Sequence, residues 1–198
     1  MQNAAQTRAA VLDAAIRLFA ENGWAGTGMR DVARVAGVAV ETVYSNFGSK
    51  PELLLAAIDV AVVGDLQPIP LGERPEFAAL GRGPISARAR AAARLNREIH
   101  ERTYGIGRAL REAAAGDAEL AKRLTEGEAR RRTNIEQGAL LVAGGPITDT
   151  ALDGLWAVLS MEVYQLLVDR AGWSAERYED WTADTIGRLL RPAGKGKQ

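Results

Sequence analysis

The sequence predicts an all-α protein of about nine helices, because apolar residues recur at i, i+3, i+4 and i+7 in one segment after another. From Ser86 onward no alternating β-branched run signals a strand. Residues 27–57, TGMRDVARVAGVAVETVYSNFGSKPELLLAA, read as two short helices joined by a tight turn and followed by a longer helix.

Residues 1–6 carry little pattern and are expected to be disordered. Thr7 suits the N-cap of a first helix running to about Asn22, in which Leu12, Ala15, Ile16 and Phe19 form one apolar stripe. Gly23 ends it. Thr27 suits the N-cap of a second helix carrying Met29, Val32, Ala33 and Ala36 on one side. Ala36-Gly37-Val38 supplies the turn, with Gly37 free to take the left-handed conformation. A third helix, Ala39 to Asn46, turns Val43 and Phe47 inward and shows Val40, Glu41, Thr42, Tyr44, Ser45 and Asn46 on its other side. Two short helices locked by a glycine turn, the second polar outside, are the sequence form of a helix-turn-helix. Ser49-Lys50-Pro51-Glu52 has the S-x-x-E form of a capping box and opens a fourth helix, with Leu54, Ala57, Ile58 and Ala61 on its buried face to about Val63.

The stretch 64–84 holds four prolines and four glycines and reads as a linker, with Phe77 and Leu80 of a short helical turn tucked against a core. The expected division is therefore a head over 1–48 and a helical core over 49–198, the linker lying within 64–84. Helices are then expected from Ser86 to about Tyr104, from the break at Gly105 and Gly107 to Ala115, and from Asp117 to about Val142. Ala143-Gly-Gly-Pro146 is a loop. Asp149 caps an apolar helix to about Ala171, and Ser174 starts a last one carrying Tyr178, Trp181, Ile186 and Leu189. The Gly/Lys-rich tail from Pro192 reads as mobile.

Composition narrows the function. The 198 residues contain 47% hydrophobic and 25% charged residues and no cysteine, which fits a reducing cytoplasm and excludes disulfide and thiolate chemistry. No apolar run approaches membrane-spanning length, so no membrane partner is expected. One histidine and no cysteine build no standard zinc site, and neither a nucleophile elbow nor a phosphate loop is present; neither enzyme chemistry nor a cofactor is expected. The 25 basic and 25 acidic residues cancel, and five of each fall before residue 59, so attraction to phosphate depends on how charges are placed.

Ala15, Phe19, Gly23, Thr27, Arg30-Asp31-Val32-Ala33, Ala36-Gly37-Val38, Thr42-Val43-Tyr44, Phe47 and Ser49-Lys50 together resemble the N-terminal DNA-binding domain of the TetR family of bacterial transcriptional regulators. The resemblance implies a homodimer that binds a palindromic double-stranded DNA operator, usually to repress, and is released by a small-molecule effector. It also implies that the last two helices form a four-helix bundle with a second subunit. Where many relatives carry serine and a basic residue at the start of the recognition helix, this chain has Ala39 and Val40. The rival reading is an architectural DNA-binding protein without effector, disfavoured by the zero net charge.

Residue chemistry assigns the expected site. Thr42, Tyr44, Asn46 and Lys50 suit phosphate oxygens, with Thr27 and Arg30 placed for the same strand. Ala39, Val40, Glu41 and Ser45 suit base edges, Val40 by apolar contact with a thymine methyl and Glu41 by accepting from a cytosine amine. The apolar faces that include Trp156, Leu159, Val163, Trp181, Ile186 and Leu189 fit an internal helix pair or an intersubunit bundle; the resemblance implies the bundle. An effector pocket, aromatic with a few polar groups, is assigned to His100, Tyr104, Trp156 and Tyr164, with a surface or core-rim position the plainer reading of His100. The arginines from Arg88 to Arg111, interleaved with glutamates, and Arg130-Arg131-Arg132 read as solvated faces.

Overall fold

The computed structural model describes residues 2–191, so the tail from Pro192 lies outside the described residues. Among those residues there are helices and no strands: α1 Gln2–Asn22, α2 Met29–Ala36, α3 Val40–Phe47, α4 Lys50–Val63, α5 Pro75–Ala78, α6 Ile85–Ala114, α7 Ala118–Ala143, α8 Asp149–Val158, α9 Met161–Tyr164 and α10 Ala175–Leu189. They fall into two compact units. The first is the chain to Pro68 with Glu101–Gly127; the second is Ile69–His100 with the chain from Glu128 onward.

In the first unit, Val11, Leu12, Ala15 and Phe19 of α1, Val32 of α2, Val43 of α3 and Leu53, Leu54 and Ala57 of α4 share one core with Ile106 and Ala109 of α6. Of the stripe expected on the first helix, Leu12, Ala15 and Phe19 are buried and Ile16 partly so. The helix itself begins at Gln2 and not at Thr7, because Ala4, Ala5 and Gln6 are good helix formers with nothing to stop them. Ser49 Oγ accepts the Glu52 amide as a cap should, but its hydroxyl takes up the Glu52 carboxylate, which therefore does not reach back to the Ser49 amide.

α6 runs unbroken through Gly105 and Gly107, where the sequence suggests a break. Gly105 is there for closeness. A Cβ at this position would stand 2.6 Å from the Cβ and 2.9 Å from the Cα of Ala20, so only glycine lets α6 lie this near α1. Arg102, one turn earlier, donates to the carbonyls of Ala61 and Val62 at 3.0 and 3.1 Å and satisfies the end of α4.

In the second unit, Phe77 and Leu80 are buried with Ala93, Val142, Leu155 and Ile186. The short turns around α5 do tuck into a core as expected. The apolar helix expected from Asp149 to Ala171 is instead broken: Thr148, not Asp149, caps α8, and Ser160 caps α9 by accepting the Val163 amide. The two segments bend by 45°. The break frees the carbonyls of Trp156 and Leu159, and Arg131 donates to both, at 3.2 and 3.4 Å. A π-helical turn over Gln165–Arg170 leads to Gly172, and Ser174 caps α10 as expected. No single helix among the described residues is long and apolar enough to cross a membrane.

Candidate nucleic-acid interface

α2 and α3 meet through the sequence's own turn. Gly37 sits at φ 70°, ψ 31°, and its amide closes the end of α2 on Arg34. At the start of α2 the N-cap is Gly28, whose N–H donates to Asp31 Oδ2 at 3.2 Å. Thr27 stands one residue earlier and is fully buried; its hydroxyl lies 3.0 and 2.9 Å from the carbonyls of Leu18 and Gly23. That corrects both its reading as a cap and its assignment as a phosphate donor. Thr27 fixes the loop between α1 and α2.

Val43 and Phe47 anchor α3 in the core, and that fixes which side faces out. Glu41, Tyr44, Ser45 and Asn46 are exposed, Thr42 and Val40 half-buried, and Tyr44 keeps 51% of its surface. Ser45 and Asn46 each donate to the Thr42 carbonyl, at 3.0 and 2.7 Å, which orders both side chains along the helix. Ala39 is the N-cap residue with no side-chain bond, as its methyl dictates. Arg30 is exposed at the start of α2.

Lys50 does not join this surface. Its ammonium donates to the Trp24 carbonyl at 2.6 Å and lies 4.0 Å from the centre of the Trp24 ring. Burial pushes its pKa below the ordinary lysine value, and the Glu112 carboxylate opposes that shift. Half-buried Lys50 is engaged with the loop after α1 in this structure. Glu112, on α6, also accepts the amides of Trp24 and Ala25 at 2.9 and 3.1 Å. Lys50, Trp24 and Glu112 thus hold the loop after α1, an arrangement no local sequence signal announces.

The second unit carries a buried aromatic and polar cluster. His100 Nε2 lies 3.0 Å from the Leu159 carbonyl freed by the break after α8, and the His100 ring stands 5.3 Å from that of Tyr164. Tyr164 meets Tyr178 edge-on at 5.1 Å, and Asn96 donates to the Tyr178 hydroxyl at 3.0 Å. Tyr178 is fully buried, and desolvation pushes its pKa up to about 12 despite bonds that favour the phenolate. His100 and Tyr164, both assigned to the expected effector pocket, are neighbours here. Tyr104 belongs to the other compact unit. Trp156 is exposed on α8, its ring 5.6 and 5.5 Å from the guanidiniums of Arg131 and Arg132. Asn96 and Tyr178 escaped that reading, although Asn96 stands one helical turn before His100.

Of the residues assigned to an intersubunit face, Ile186 is 2% exposed in the core of the second unit, which corrects its assignment. Leu159, Val163, Trp181 and Leu189 are half-buried, Trp181 edge-on to Trp173 at 6.0 Å. The arginine faces are mostly ion-paired: Arg94 with Glu98, Arg97 with Glu179 and Arg132 with Asp153. No group of three metal-ligating side chains occurs among the described residues.

The family model "Bacterial regulatory proteins, tetR family" matches residues 11–57, the stretch that holds α2 and α3 and most of α1 and α4. That stretch is similar to the DNA-binding region of the TetR family. It is similar along its length to the HTH-type transcriptional regulator BetI of Rhizobium meliloti, with 27% identity over 190 residues, 96% of this chain and 92% of that one. The similarity to the HTH-type transcriptional regulator TtgR of Pseudomonas putida is stronger but confined to 58 residues, 40% identical and covering 29% of this chain and 28% of that one. Among solved structures, a Rhodococcus sp. chain assigned to the TetR family superposes with a TM-score of 0.68 at 20% identity, covering 93% of this chain and 99% of that one. The curated relatives that this chain resembles are HTH-type transcriptional regulators.

Proposed function

We propose that the chain acts in the cytoplasm as a homodimeric repressor, binding a palindromic operator through α3 and released by a small-molecule effector. The observation that carries this reading is the polarity of α3: two buried side chains lock one face, and Thr42, Tyr44, Ser45 and Asn46 present polar groups on the other. One such helix reads only a few base pairs, whereas a twofold pair reads two half-sites at fixed spacing. The head over 1–48 is the reading domain. The remainder supplies the dimer face, through Trp156, Leu159, Val163, Trp181 and Leu189, and the effector site around His100 and Tyr164. An effector that binds better to a conformer unable to span both half-sites lowers operator affinity by the same factor that DNA lowers its own.

The test is Tyr44→Ala, with binding to DNA upstream of the chain's own gene followed by fluorescence anisotropy. Two lost hydrogen bonds of about 1 kcal/mol each in the dimer predict roughly 30-fold weaker binding. Melting temperature and dimerisation stay unchanged, because Tyr44 is exposed. Unchanged affinity would mean that α3 is not the helix that meets DNA.

A further inference from the structure

We propose that Arg8, near the start of α1, is a phosphate-binding residue of the operator interface. The inference rests on the reading of α3 given above and adds a residue that no motif marks. Its guanidinium lies 4.5 Å from the centre of the Phe47 ring, and Nη1 faces the Asn46 carbonyl at 3.4 Å. Arg8 therefore sits at the C-terminal end of the recognition helix, beside the exposed Tyr44, Ser45 and Asn46.

Charge placement makes this position matter. Five cations fall before residue 59. Lys50 is turned onto Trp24, Arg17 pairs with Asp13 at 3.4 Å and Arg34 pairs with Asp31 at 3.3 Å. Arg8 and Arg30 remain the exposed cations of the head with no carboxylate partner among the described residues. Arg30 stands at the start of α2, so Arg8 is the one at the far end of α3. The last carbonyls of a helix carry a partial negative charge that repels phosphate. Arg8 reverses the sign there. Stacking on Phe47 also holds the planar fork in place, and the Asn46 bond occupies one of its five N–H groups, leaving the others for a phosphate oxygen.

The experiment compares wild type, Arg8→Gln and Arg8→Lys on operator DNA and on random duplex DNA across a series of salt concentrations. Gln keeps a donor for the Asn46 carbonyl and removes the charge; Lys keeps the charge and loses the fork. A phosphate contact in each half of a dimer predicts that Arg8→Gln makes the slope of log K against log salt shallower by about 2. Binding weakens about 10- to 100-fold, alike for operator and random sequence. Arg8→Lys retains the wild-type slope. A purely structural role would lower the melting temperature of Arg8→Gln and leave the slope alone, and that result overturns the proposal. So does Arg8→Lys losing as much slope as Arg8→Gln, since counterion release counts charge. Absence of saturable binding by the wild type would overturn the reading of α3 together with the role given to Arg8, whereas wild-type binding with an unchanged slope in Arg8→Gln overturns the role of Arg8 alone.

Discussion

Tyr178 shows how a single side chain ties stability to pH. Its phenol is fully buried and bonded to Asn96, and desolvation raises its pKa from 10.0 to about 12. The folded chain holds this proton more tightly than the unfolded chain does. The stabilisation is therefore complete below pH 10 and disappears as pH rises to about 12. A two-unit difference corresponds to about 2 to 3 kcal/mol. Melting curves from pH 9 upward should fall more steeply for wild type than for Tyr178→Phe, which has no proton to lose; parallel curves would contradict the burial of the hydroxyl. At this scale the sequence was informative wherever a side chain acts on its own helix. Val43, Phe47, Tyr44 and Asn46 stand where the helical period puts them. Lys50 and Thr27 do not, because their partners, the Trp24, Leu18 and Gly23 carbonyls, are set by how the loop after α1 folds back, and no spacing records that.

Helices α6 and α8 show the same limit at the level of elements. Glycine in a helical pattern has two meanings, a break or a close approach, and only the neighbour decides between them. For Gly105 the neighbour is Ala20. Gly105→Ala should therefore destabilise the chain, although the same change in a free helix stabilises by about 1 kcal/mol. The overlap with α1 costs about 1 to 3 kcal/mol and wins. A lowered melting temperature is expected, and a raised one would show that α6 does not press on α1. In α8 the error ran the other way. No glycine or proline marks the break at Leu159, and the apolar period continues across it. What sustains the break lies elsewhere in the chain: Arg131 and His100 take the freed carbonyls. Ser160 was the available signal, being a cap residue followed by Glu162 in the first turn. The capping residues Ser49, Asp117 and Ser174, by contrast, placed three helix starts correctly, because capping is local chemistry.

For the whole molecule, zero net charge and a DNA-binding fold are reconciled by placement. Arg17 and Arg34 of the head pair with carboxylates, and its exposed cations Arg8 and Arg30 lie around α2 and α3. On the proposed function, attraction to phosphate rests on those few cations, and preference for a particular sequence on two copies reading together. The proposed effector site and dimer face fall in a second unit whose local patterns are those of any helical core. The helical period did not show that Ile186 is core, nor that Asn96 and Tyr178 pack with His100 and Tyr164.

The most direct measurement is the stoichiometry and footprint of the chain on DNA upstream of its own gene, by analytical ultracentrifugation and chemical protection with random duplex as competitor. The account predicts saturable, competitor-resistant binding of two chains to one palindrome, with protected half-sites about one helical turn apart or a multiple of it. Binding of one chain at a time, or protection spread without preference along the duplex, would contradict it.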